Sequence, residues 1–105
     1  MIFTETAVFT RQITGLLPDD EYHKLQLVLT FNPEAGDVIQ HSGGLRKVRW
    51  GSGTRGKRGG IRVIYYWFVG EAEIYMLLAY GKSEKDDLSA KELKILRGLV
   101  EDATS

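Results

Sequence analysis

The chain has 105 residues, with 14 Lys and Arg against 14 Asp and Glu and 43% apolar residues, which is enough for a single domain over 1–105 to bury a core unaided. It contains no cysteine, which excludes disulfides, thiolate metal sites and a Cys nucleophile and fits a reducing cytoplasm. Glu5, Arg11 and Asp19 interrupt the N-terminal stretch, so no signal-peptide core is expected, and no apolar run approaches the ~18 residues of a membrane span.

Residues 2–5 read as a short edge strand. Thr6 stands as N-cap to a helix over 7–16, in which Val8, Ile13 and Leu16 share a face and Gly15 weakens the end. Pro18 punctuates, Asp19 or Asp20 caps a second helix, and Glu21 adds negative charge to its first turn. Tyr22, Leu25, Val28 and Leu29 recur there at helical spacing. Asn32-Pro33 ends it, because a residue before proline disfavours the helical region. Residues 45–50 alternate, with Leu45, Lys47 and Arg49 on one face and Arg46, Val48 and Trp50 on the other. Residues 61–69 are β-branched and aromatic, and apolar on both faces, the mark of a central strand. A turn over 70–73 leads to a third strand at 74–80, giving an antiparallel meander. Ser89-x-x-Glu92 is a capping box, with Leu88 and Leu93 at the spacing of a hydrophobic staple. It opens a helix over 90–102, striped by Leu93, Leu96 and Val100 with Ile95 and Leu99 beside them. The expected class is α+β, in the order β-α-α-β-β-β-α.

The zero net charge hides a segregation. Residues 45–66 hold Arg46, Lys47, Arg49, Arg55, Lys57, Arg58 and Arg62 and no acidic residue, leaving 14 acidic against seven basic residues elsewhere. Such polarity points to a phosphate-rich partner, the plainer alternative being a solvated basic hairpin. Lys47 and Arg49 leave one face of their strand, and Arg62 begins the next strand across a glycine-rich loop, so pairing brings the three to one phosphate. Arginine offers phosphate a bidentate fork, and an amine crowded by cations is eased toward its neutral, basic form. Such a set can cleave RNA without histidine: Lys47 draws a proton from a ribose 2′-hydroxyl and the arginines stabilise the phosphorane. It can equally bind a nucleic-acid backbone with no chemistry, and the residues leave both open.

Other motifs are weaker. Residues 51–57 spell G-x-x-x-x-G-K, but Arg58 stands where a phosphate-cradling loop needs Ser or Thr, and a strand follows instead of a helix. The loop over 51–60 has five glycines in ten residues and is expected to be mobile and outside the core. His23 reads as surface or packing. His41 lies near the basic strand, and two histidines eighteen apart make a poor metal site. No carboxylate pair suits glycoside chemistry. No metal or cofactor is expected.

Three blocks, NPEAGDVIQHSGGLRKVRW, GKRGGIRVIYYW and YMLLAYGKSEKDDLSAKEL, resemble the RelE superfamily of bacterial toxins, and most closely its HigB-like branch. The resemblance runs from the second helix to the last. It implies a small, twisted, mainly antiparallel sheet with two N-terminal helices and a C-terminal one. It further implies a type II toxin, a metal-independent endoribonuclease that enters the ribosomal A site, cuts mRNA by 2′-hydroxyl attack to a cyclic phosphate and so inhibits translation. Implied partners are the 70S ribosome with its mRNA and a cognate helix-turn-helix, HigA-like antitoxin, with operator DNA met only through that antitoxin. By motif, Lys47 and Arg49 match the family's basic pair, Arg62 its next-strand arginine and Lys82 the lysine after the last strand's glycine. Arg46, Arg55, Lys57 and Arg58 would bind RNA. Where some members have an arginine after that lysine this chain has Ser83, and it lacks their C-terminal tyrosine. Lys85 and Tyr80 are the substitutes offered for the general acid and the base-stacking group. The rival from another class is a non-catalytic RNA- or ribosome-binding module of the same fold.

Overall fold

The computed structural model describes residues 1–51, 60–85 and 87–104. Its elements are β1 (Ile2–Glu5), α1 (Ala7–Leu16), α2 (Asp19–Phe31), β2 (Asp37–Val38), β3 (Arg46–Trp50), β4 (Ile61–Phe68), β5 (Glu73–Gly81) and α3 (Ala90–Thr104). The class is α+β, as expected. The five strands form one sheet in the order β1-β5-β4-β3-β2. β3, β4 and β5 make the antiparallel meander, while β1 adds to the outer edge of β5 in parallel, so the sheet is mixed. The two-residue strand β2 was not expected; it pairs with β3, Asp37 opposite Lys47.

Helices cover both faces of the sheet. On one face Phe9 and Ile13 of α1 and Leu25 and Leu29 of α2 pack with Val48, Val63, Tyr65, Ile74, Met76 and Ala79. On the other, Leu96 and Val100 of α3 pack with Leu45, Ile64, Leu77 and Tyr80. Of the expected stripe on α1, Ile13 is buried and Leu16 packs against the core, but Phe9 is buried in place of Val8, which is 43% exposed. The Thr6 hydroxyl accepts from the Phe9 N–H as an N-cap. On α2 the cap position belongs to Pro18 and has no side-chain bond; Asp19, Asp20 and Glu21 instead occupy the first turn, where their charge suits the helix dipole. The capping box of α3 forms in full: the Glu92 N–H donates to Ser89 Oγ at 3.1 Å, and the Ser89 N–H donates to Glu92 Oε1 at 2.9 Å.

Two local features position the basic face. Gly36 lets the chain pass close beside β3; a Cβ there would stand 2.9 Å from the Tyr65 ring and 3.0 Å from the Lys47 carbonyl. The Tyr65 hydroxyl, buried beneath it, donates to the Pro33 carbonyl at 2.6 Å and accepts from the Gly36 N–H at 2.9 Å. The second feature is a bulge. Ile64 pairs with Leu78 but Tyr65 pairs with Met76, so Leu77 is an extra residue on β5. The bulge resets the alternation, turning Ala79 toward α1 and α2 and Tyr80 toward α3. Beyond the end of β1, the outer edge of β5 is met by α1 and its cap. Thr6 Oγ donates to the Leu77 carbonyl at 2.9 Å, and Gln12 Oε1 accepts from the Ala79 N–H at 2.9 Å. Among the described residues, no helix is long and apolar enough to cross a membrane.

Candidate nucleic-acid interface

The period of two that places Lys47 and Arg49 on one face of β3 meets β4 in register. Lys47 lies opposite Ile64, and Arg49 lies opposite Arg62. Arg62 in turn lies opposite Tyr80 on β5. Arg49, Arg62 and Tyr80 therefore form one row across three strands, on the face that α3 covers further along. Like charges directly opposite one another destabilise a sheet. Arg62 is also buried, at 9% exposure, and among the described residues its guanidinium donates only to the Ile61 carbonyl, at 3.5 Å. Arg49 and Lys82 make no side-chain hydrogen bond or ion pair among the described residues.

Two hollows share Arg49 as a common wall. The first, of about 490 Å³, is lined by Asp37, Gln40, Lys47, Arg49, Tyr80, Asp87 and the apolar Val38, Ile39, Leu88 and Leu93. The second, of about 400 Å³, is lined by Arg49, Trp50, Gly51, Gly60, Arg62 and Lys82, and so holds three cations and no carboxylate among its described residues. Lys47 Nζ donates to Asp87 at 2.7 Å. That bond, the Lys47 charge and the more distant Arg49 and Arg62 hold the Asp87 carboxyl below the usual range for an aspartate.

The expected site residues thus fall into groups. Arg49, Arg62 and Lys82 line one hollow, and Lys47 lines the adjoining one with Arg49 between them. Arg46 lines neither: it leaves the opposite face of β3, donates to the Gly36 carbonyl at 2.8 Å and pairs with Glu34 at 3.5 Å, tying down the segment before β2. Tyr80 is 1% exposed and forms the floor of the first hollow, so its ring offers no open face for a base to stack on. Lys85 sits 5.0 Å over that ring and pairs with Glu92, whose carboxyl this contact and the Ser89 N–H hold below its ordinary range. Arg55, Lys57 and Arg58 lie outside the described residues. His23 is exposed on α2, and His41 takes a turn conformation at φ 61°, its carbonyl accepting from Arg97. No cluster able to hold a metal ion occurs among the described residues.

Sequence reasoning missed Asp87 and the β2 segment that walls the first hollow. Two residues of strand carry no periodicity, and Asp87 meets Lys47 across 40 positions of sequence. The one signal for Asp87 is its place two residues before the Ser89 cap, which fixes it beside the start of α3. No known family model matches the chain.

Proposed function

We propose that this chain is the toxin of a type II toxin-antitoxin system, an endoribonuclease that cuts mRNA on the ribosome. The observation that carries the reading is Arg49 set directly opposite the buried Arg62, with Lys82 on the same hollow and Lys47 adjoining. This row disfavours the empty sheet and favours a bound phosphate. The resemblance to RelE and HigB-like toxins supports the same residues and adds the ribosome, a helix-turn-helix antitoxin and a cytoplasmic setting.

In this mechanism the ribose 2′-oxygen attacks phosphorus as its proton leaves to a base. The P–O5′ bond breaks, giving a 2′,3′-cyclic phosphate and a 5′-hydroxyl. Arg49 and Arg62 neutralise the charge that grows on the phosphorane oxygens. Lys82, in the second hollow and without a carboxylate partner among the described residues, suits protonation of the leaving oxygen better than Lys85, which is bound to Glu92. Lys47 takes the base role only after releasing Asp87, because its amine is occupied in donating to that carboxylate.

The test is induction of the chain alone in a bacterial host with mapping of mRNA ends, repeated on purified RNA with and without ribosomes. New ends on translated messages, with naked RNA largely spared, are expected. Equal cutting of naked RNA would remove the ribosome from the reading. The second reading, a non-catalytic RNA- or ribosome-binding module, is favoured by the Lys47–Asp87 pair, which leaves the described site without a free base; it predicts no new ends. Lys47→Arg separates the roles of that residue, since a guanidinium keeps the charge but is a very poor base. Loss of cutting with ribosome binding retained is expected, and near-normal cutting would give Lys47 a purely electrostatic part.

A further inference from the structure

We propose that the Asp87 carboxylate is a built-in stand-in for a phosphodiester: it fills the anion position at Lys47, and RNA enters the first hollow by exchanging with it. The inference rests on the reading of the basic face as an RNA site and assigns that site an internal competitor.

Three observations converge. First, the carboxylate is placed as a phosphate oxygen would be, 2.7 Å from Lys47 Nζ and within the field of Arg49 and Arg62. Second, the two hollows differ. The one walled by Arg49, Arg62 and Lys82 has no carboxylate among its described residues, while the one walled by Lys47 and Arg49 has two, Asp37 and Asp87, of which Asp87 is the one paired with Lys47. Third, the Asp87 side chain is 78% exposed while that of Lys47 is 20% exposed. Lys47 thus belongs to the sheet, and Asp87 is held at the surface by the ion pair. Such exposed pairs shift an equilibrium by no more than about fivefold, so a ligand with further contacts displaces the carboxylate easily and one without them does so poorly.

The apolar part of the same hollow, Val38, Ile39, Leu88 and Leu93, gives an entering nucleotide those further contacts for its base and sugar. Asp87 then works as a threshold. A loosely held RNA competes against a permanent local carboxylate, whereas a strand presented in a fixed geometry on a large scaffold gains enough elsewhere to replace it. Spare affinity for free RNA is suppressed without loss of the cations that the chemistry uses.

The experiment measures binding of a fluorescent 2′-O-methyl RNA hexamer, which lacks the attacking hydroxyl, to the full chain and to Asp87→Asn, Lys47→Met and the double variant. Asp87→Asn keeps the shape and removes the charge. It is expected to tighten binding by about three- to tenfold, because a competing ion pair and a like charge both vanish. The slope of log K against log salt should steepen by up to about 0.7, because the phosphate that meets Lys47 gives up its condensed cation with no freed Asp87 carboxylate to take one up. In the Lys47→Met background the same change should have a much smaller effect. Unchanged affinity and slope overturn the proposal, as does a gain of equal size without Lys47, which would mark diffuse charge removal. If the hexamer binds none of the variants, the RNA reading falls and inorganic sulfate decides the role of Asp87. Saturation of the Lys47 amine resonance at lower sulfate in Asp87→Asn upholds the competitor, and equal saturation overturns it.

Discussion

Arg62 is the residue whose place in the fold is hardest to account for by stability alone. A buried guanidinium opposite another arginine, with one long hydrogen bond among the described residues, is a poor way to fill a central strand. Arg62→Met is therefore expected to stabilise the protein by about 1 kcal/mol while lowering cleavage by about 10²–10³, the usual loss of one transition-state donor. Denaturant midpoints and mRNA-end mapping on the same variant check both halves, and a lowered midpoint would mean that the guanidinium supports the sheet. The common face of Lys47, Arg49 and Arg62 was readable from the sequence, because a strand alternates with period two whatever surrounds it. The burial of Tyr80 was not, because its orientation depends on an extra residue at Leu77 that no local pattern announces. For Arg46 the opposite face was readable too, but not its use there, where its side chain serves the Gly36 and Glu34 carbonyls.

At the scale of elements, α3 both packs the second core and frames the site, so its start is the sensitive point. Ser89→Ala removes the hydroxyl that caps Glu92 and is expected to cost about 1 kcal/mol, read from urea unfolding. The same box is pH-dependent. Glu92 has its carboxyl lowered in the folded state by Lys85 and the Ser89 N–H, so its contribution is present above the unfolded value and fades as pH falls through the folded one. Stability of the parent should therefore drop more steeply below about pH 4.3, the ordinary Glu range, than that of Glu92→Gln, measured by midpoint against pH. The helices, the meander and this capping box followed from the sequence because each is set by residues a few positions apart. The strand β2 did not, since its two residues are held by contacts at Gly36 and Tyr65 made only after the sheet exists. The parallel pairing of β1 was hidden for the same reason: four residues cannot say which distant edge they will join.

For the whole molecule, the separation of charge matters more than its sum. The acidic remainder keeps the net charge at zero while the segment 45–66 concentrates seven cations, a polarity that, under the proposed function, would orient the chain toward a polyanion before contact. Replacing Arg55, Lys57 and Arg58 together by Ala should weaken ribosome binding and reduce its salt slope by about 2 if all three reach phosphates; an unchanged slope would assign the loop to solvent. The β1–β5 seam carries a further consequence, in time rather than space. β1 leaves the ribosome before β5 and has no partner until residues 73–76 follow it, since Ile2 meets Glu73 and Glu5 meets Met76. β3, β4 and β5, by contrast, each pair with a neighbour in sequence. Closing so long a loop is the slow kind of step in folding. The meander and its row of cations can therefore assemble early, and the N-terminal strand closes the sheet last, when most of the chain already stands in place.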